Sequence, residues 1–206
     1  MADEGFIDHA GAAALRMLQE GNARYAAEMS EGPRRDLLRR QQLRESQNPF
    51  AIVVACADSR VSPELVFDQG LGDLFVVRVA GNVVDPAGLG SLEFAVEALG
   101  VPLLVMVGHT GCGAVLGATS GDWGSGYWGE VLAAVRPAVD EARGLTGDLH
   151  VNAVRANVRL SLERVLRESS VLRSAVSGGQ LIATGAVYDV GSGLVEWLGP
   201  RVGPVC

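Results

Sequence analysis

Ala51-Ile52-Val53-Val54-Ala55-Cys56-Ala57-Asp58-Ser59-Arg60 is the stretch whose reading decides the fold. Its apolar half does not alternate with polar residues, so it reads as a strand buried on both faces, the kind found in parallel sheets covered by helices. Its second half is polar and reactive, as a loop at the carboxyl end of such a strand should be. The pattern recurs further along, where the apolar run Val101 to Val107 leads into Gly108-His109-Thr110-Gly111-Cys112-Gly113. Two loops at the carboxyl ends of neighbouring parallel strands share one crevice.

On the amino-terminal side, Gln47-Asn48-Pro49 is a turn that launches the strand. Arg34 to Arg44 carries five arginines around Leu37, Leu38 and Leu43 and reads as a solvated basic helix with an apolar stripe. Gly32-Pro33 separates it from an amphipathic helix over His9 to Met29. On the carboxyl-terminal side, Ser62-Pro63-Glu64 opens a short helix to about Asp68. Leu74 to Val79 is a second strand that brings Arg78 and the Gly81-Asn82 turn to the same sheet end. A helix over Gly88 to Leu99 ends at Gly100, and Leu103 to Val107 is the third strand. Ser120 to Gly129, with Trp123, Tyr127 and Trp128, reads as a surface loop. Glu130 to Arg143 and Asp148 to Val176 read as helices, and Leu181 to Tyr188 with Leu194 to Leu198 as a terminal hairpin. The expected fold is α/β: a mostly parallel central sheet of about four strands with an antiparallel edge strand, flanked by helices. A single domain over 1–206 is expected, with a helical amino-terminal arm over 1–46 and an α/β core over 47–206.

Composition excludes several classes. Of the 206 residues, 48% are apolar and 20% charged, a balance that buries a sizeable core and excludes disorder. The formal charge of -7 argues against nucleic acid as a partner. No apolar run approaches the roughly 20 residues that cross a bilayer, and the acidic start does not resemble a leader, so a cytoplasmic protein with no membrane partner is expected. All 17 basic residues are arginine, which excludes lysine Schiff bases and Walker-type phosphate loops. The three cysteines, Cys56, Cys112 and a frayed Cys206, make a poor disulfide framework.

A lone cysteine or histidine after a buried strand is more often a core residue than a ligand. Here both non-terminal cysteines and His109 fall directly after the two most apolar strands. Two thiolates and an imidazole suit zinc, and three protein ligands with a fourth position open is the catalytic pattern rather than the structural one. Cys56 and Cys112 are too far apart for a C-x-x-C redox pair, and Gly108 to Gly113 runs G-x-x-G-x-G, which does not fit a dinucleotide fingerprint. Asp58 stands beside Cys56 in the first loop, where Arg60 can hold it by charge-assisted hydrogen bonds. His9 and His150 have no visible partner and read as exposed or structural.

Cys56-Ala57-Asp58-Ser59-Arg60-Val61 and Gly108-His109-Thr110-Gly111-Cys112-Gly113 resemble the two signatures of the β-class carbonic anhydrases. The likeness extends through Phe75-Val76-Val77-Arg78 and Ala80-Gly81-Asn82 to Val187-Tyr188-Asp189. The resemblance implies one zinc ion per chain held by Cys56, His109 and Cys112, and reversible hydration of carbon dioxide to bicarbonate and a proton by zinc-bound hydroxide. It implies Asp58 and Arg60 as a catalytic dyad, with Asp58 able to take the fourth zinc position in a closed state. Gln47, Phe75, Ala80, Phe94 and Gly113 match residues around the substrate. A second subunit completes part of that wall in the family, so a homodimer or dimer of dimers is expected. Phe94 replaces a common tyrosine and Val79 a common asparagine. Arg78 and Tyr188 match two residues of an inhibitory bicarbonate site, but Val53 stands at its tryptophan, so that site is expected to be absent or weak. A hydrolase of carbonyl sulfide or carbon disulfide, or a non-catalytic zinc protein, remain the alternatives on this scaffold.

Overall fold

A computed structural model of the chain describes residues 4–121 and 123–199, apart from the side chains of 4–9. The His9 side chain and Cys206 therefore lie outside the described residues. Strands β1 (Ala51–Ala55), β2 (Leu74–Arg78), β3 (Leu103–His109), β4 (Ile182–Tyr188) and β5 (Val195–Leu198) form one sheet in the order β2-β1-β3-β4-β5. The first four are mutually parallel, and β5 runs antiparallel along β4 as the expected edge.

Both faces of the sheet are covered, which is why the central strands carry unbroken apolar runs. Ile52, Val54, Leu104, Met106 and Ala183 face one core. That core is closed by α4 (Pro86–Glu97), α5 (Gly113–Thr119), α6 (Gly126–Ala142), α7 (Leu149–Glu168) and α8 (Ser170–Ser177). Ala51, Val53, Ala55, Leu103, Val105, Val107 and Ala186 face the other, against Ala14 and Leu18 of α1 (Glu4–Ala26) and Val66 of α3 (Pro63–Val66). Helix α7 comes so close to β3 that a Cβ at Gly108 would lie 2.5 Å from a Val158 methyl. From β1 the chain first adds β2 on one side and then β3 on the other. The strand order thus reverses between β1 and β3, and a crevice opens beyond their carboxyl ends.

Local differences from the sequence reading have identifiable causes. The basic helix is only Leu37–Gln42 (α2), capped by Asp36, and its apolar stripe is uncovered: Leu37 and Leu38 are 59% and 62% exposed. The arginines of this segment are not merely solvated. Arg34 and Arg39 bind the buried Asp73, and Arg39 also binds the Leu71 carbonyl, so they hold the loop before β2. The single helix read over 148–176 is broken at Ser169, whose hydroxyl caps α8 and donates to Glu93. Helix α6 begins earlier than read and takes in Tyr127 and Trp128, while α5 was not assigned from the sequence at all.

Asp68 ties α1 to the rest of the chain. Its side chain is fully buried and accepts from Arg24 Nε at 2.7 Å and from the N–H groups of Glu31 and Gly32. Burial pushes this carboxyl up, but Arg24 and the two N–H groups outweigh it and hold it below the usual carboxylate range. Such a group stabilises the fold above its unfolded pKa of about 3.9 and loses that contribution as pH falls through its lower folded value. Asp68→Asn is compatible with the left-handed backbone there, at φ 47°. It should cost about 2 kcal/mol at neutral pH, less than a fully buried pair because Arg24 is partly exposed. It should also flatten the acid limb of stability below about pH 4. Urea denaturation of metal-free protein across that range checks both.

Candidate metal centre

Cys56 directly follows β1, His109 is the last residue of β3, and Cys112 is the capping residue before α5. The register sets Ala55 beside Val107, so β1 and β3 reach the crevice together. The ligand atoms of all three residues lie within 4.8 Å of one another, and all three residues are buried. His109 and Cys112, three residues apart, sit on different elements rather than on one helical turn. Gly108 and His109 extend β3 because they pair with Val187 and Tyr188 of β4, and a tight turn at Thr110-Gly111 returns Cys112 to the cluster.

The donor set fits a cation. The His109 ring is fully buried, its Nδ1 lies 3.0 Å from the Thr110 carbonyl, and its Nε2 has no hydrogen-bond partner. Donation from Nδ1–H to that carbonyl leaves a bare lone pair on Nε2, the form in which imidazole binds metal. The Thr110 backbone is itself fixed, since its N–H donates to the Tyr188 carbonyl. In the absence of metal the two thiols are unequal. A hydrogen bond from Cys112 lowers Cys56, burial opposes it, and His109 with the N–H groups of Asp58 and Gly81 adds to it, bringing Cys56 to about 4. Cys112 is pushed well above the ordinary thiol range by that bond and by burial. Two buried sulfurs converging on an unpartnered imidazole nitrogen suit a divalent ion of zinc's softness.

The loop after β1 does not stay extended; it turns at Asp58, where Val61 N–H donates to the Asp58 carbonyl. The turn brings Arg60 back over Asp58, with Nε to Oδ1 at 2.9 Å and Nη2 to Oδ2 at 2.7 Å, a bidentate pair. Arg60 N–H also donates to Oδ1, and Nη2 reaches the Gly111 carbonyl at 3.0 Å, joining the two loops. Asp58 Oδ2 lies 3.9 Å from His109 Nε2. From β2, Arg78 donates to the Cys56 carbonyl at 3.1 Å and the Asp58 carbonyl at 2.7 Å. From the following 3-10 turn, Ala80–Asn82, the Gly81 N–H donates to Cys56 Sγ at 3.3 Å.

A sequence model described as carbonic anhydrase matches residues 51–195. The chain belongs to the β-class carbonic anhydrase family. It is 40% identical over 189 residues to carbonic anhydrase 2 of Mycobacterium tuberculosis, covering 88% of this chain and 89% of that protein. It is 40% identical over 190 residues to the carbonic anhydrase of Mycolicibacterium smegmatis, covering 89% and 91%. Among solved structures, the Coccomyxa β-carbonic anhydrase in complex with acetazolamide superposes with a TM-score of 0.70 at 27% identity, covering 98% of this chain and 89% of that one. The β-carbonic anhydrase CafA of Aspergillus fumigatus gives 0.65 at 31%, covering 91% and 89%.

Within this carbonic anhydrase fold the remaining candidates scatter. Ala80 opens the turn that reaches Cys56. Gly113 begins α5 with open space where a Cβ would point. Phe75 and Phe94 pack together with ring centroids 6.3 Å apart, and Phe94 is 49% exposed. Gln47 is exposed and precedes β1, at the end of the strand opposite Cys56. Arg78 braces the first loop, and Tyr188 shares a 3.2 Å hydroxyl contact with Tyr25, so both have structural partners. His150 is half-buried with both ring nitrogens unpartnered, beside a cavity of about 300 Å³ also lined by Thr110 and Asp189. Sequence reasoning missed Asn157, which donates to the Gly81 carbonyl from α7. A polar residue on the buried side of a helix is its only sequence signal.

Cys112→Ser is expected to fold but to bind zinc far below one ion per chain, because a serine hydroxyl does not ionise to a comparable ligand. Elemental analysis of purified protein alongside circular dichroism checks the outcome.

Proposed function

We propose that this protein catalyses the zinc-dependent reversible hydration of carbon dioxide to bicarbonate and a proton. The observation that carries the reading is the placement of an ionised, immobilised carboxylate, Asp58, 3.9 Å from the unpartnered ligand nitrogen of His109. Zinc, when bound, supplies a Lewis acid that lowers the pKa of a water ligand toward ~7, as in carbonic anhydrases whose metal is held by three histidines.

The chain's own residues do the rest. Cys56, His109 and Cys112 would hold the ion. The Arg60 guanidinium holds the Asp58 carboxyl well below the usual carboxylate range, so Asp58 is an acceptor throughout the neutral region. It would accept a hydrogen bond from a hydroxyl beside His109 and so orient that group toward carbon dioxide. The engaged Asp58–Arg60 pair supports the open form, since Asp58 must leave Arg60 to take the fourth ligand position itself. Gly113 N–H offers a donor to the forming bicarbonate, and Ala80 contributes to the apolar wall.

Gln47, Phe75 and Phe94 act from a second copy of the chain. Gln47 lies beyond the far end of β1 from its own Cys56, and Phe94 keeps half its surface open. The uncovered Leu37 and Leu38 supply an apolar surface for that copy, and β2, an edge strand among the described residues, offers backbone N–H and C=O groups. A homodimer or a dimer of dimers, acting as a single-domain unit per chain, is the assembly proposed. Two buried thiols unpaired as a disulfide suit the cytoplasm, and no helix among the described residues is long and apolar enough to cross a membrane.

Stopped-flow hydration with carbonyl sulfide as a parallel substrate is the direct test. Activity on carbon dioxide should rise through and above neutrality, because the two thiolates of Cys56 and Cys112 weaken the ion as a Lewis acid. Asp58→Asn should reduce turnover by on the order of a hundredfold or more while zinc content stays near that of the parent. An unchanged rate in this variant, or turnover of carbonyl sulfide alone, counts against the assignment. Equal amounts of Asp58→Asn and Gln47→Ala chains, unfolded and refolded together, should recover activity that neither has alone, since mixed dimers pair an intact Asp58 with an intact Gln47.

A further inference from the structure

We propose that Asn157, in the middle of α7, is a positioning residue for the Cys56 thiolate and acts through the Gly81 peptide. Gly81 N–H donates to Cys56 Sγ at 3.3 Å, and that bond depends on an unusual piece of backbone. Gly81 and Asn82 are successive residues in the left-handed region, at φ 63° and 49°. A Cβ at residue 81 would lie 2.9 Å from the Ala114 methyl and 3.2 Å from a Val135 methyl. Asparagine tolerates this conformation better than most residues, but two in succession persist only where surrounding groups impose them.

The peptide between Gly81 and Asn82 is clamped at both ends. Its N–H donates to the Val79 carbonyl at 2.9 Å, and its C=O accepts from Asn157 Nδ2 at 2.9 Å. Asn157 is buried, and its neighbours on α7, Val154 and Val158, press against Gly108 at the end of β3. The clamp is therefore referred to the same strand that carries His109. With that peptide plane fixed the Gly81 Cα is placed, and at the observed φ of 63° the preceding N–H points to the sulfur, the carbonyl of its own peptide, that of Ala80, accepting from Val83 N–H at 3.4 Å. Loss of the Asn157 amide frees the carbonyl end. The peptide can then rotate, and the thiolate loses a donor that both aims it and spreads its charge.

This rests on Cys56 as a zinc ligand, which the zinc content of the parent protein tests separately. The variant is Asn157→Leu, similar in size and without donors, and its control is Asn22→Leu. Asn22 is equally buried and donates to the carbonyls of Val66 and Gly193. Zinc affinity is read by competition with a chelator, and the sulfur-to-metal charge-transfer band by spectroscopy of cobalt-substituted protein. Asn157→Leu is expected to weaken zinc roughly tenfold or more and to shift the cobalt band. Asn22→Leu should lower thermal stability and leave both readouts at parent values. If Asn157→Leu does not accumulate as folded protein, Asn157→Ala carries the same measurements. Parent-like affinity and an unshifted band in a folded Asn157 variant would overturn the proposal. So would equal changes in the Asn22 variant, since they would mark a general loss of stability.

Discussion

Two sulfurs and an imidazole nitrogen, buried within reach of one another, are the constraint on which the rest of this structure depends. An apolar interior does not hold such groups cheaply: each thiolate lacks water, and a bare nitrogen lone pair forfeits a hydrogen bond. A divalent cation resolves all three deficits together. The surroundings are accordingly organised to keep the donors converged. Arg78 ties down the first loop by its carbonyls, Gly81 N–H fixes one sulfur, and the Thr110 carbonyl fixes the imidazole tautomer.

These supports come from the carboxyl ends of β2 and β3, on either side of β1, and the sheet order makes that feasible. Because β1 lies between β2 and β3, the loop after β1 can be held by β2 and answered by β3. Register does the fine placement: Ala55 stands beside both Arg78 and Val107, and His109 beside Tyr188. A slip of one residue in any pair would turn a ligand or its brace to the other face. Helix α7 closes the arrangement by lying against Gly108 and Gly185, where only glycine leaves room for the Val158 methyls.

The sequence made this much legible because burial on both faces leaves an unbroken apolar run, and β1, β3 and β4 are buried at every position. The reactive residues follow those runs directly, so the ligand set and the Asp58–Arg60 pair could be read without coordinates. Features decided by long-range contacts were not legible. Arg34 and Arg39 looked like a solvated basic face, and only the folded loop supplies Asp73 to them. The break at Ser169 depends on its hydroxyl finding both the Leu172 N–H and Glu93. Asn157 is an ordinary helical residue in sequence, and its role exists only because Gly81 arrives beside it.

Charge accounts for the dyad. Two thiolates neutralise a dication, so a third anion beside them faces no net attraction from the ion as a whole. Nothing in the cluster itself then holds Asp58 at 3.9 Å from His109 Nε2. Arg60 supplies the missing positive charge at 2.7 Å, through two parallel hydrogen bonds that fix the carboxylate plane as well as its ionisation. The pair is also tethered to the Gly111 carbonyl of the second loop. Movement of Asp58 away from this position would break its hydrogen bonds to Arg60, the same side chain that holds the Gly111 carbonyl of the second loop.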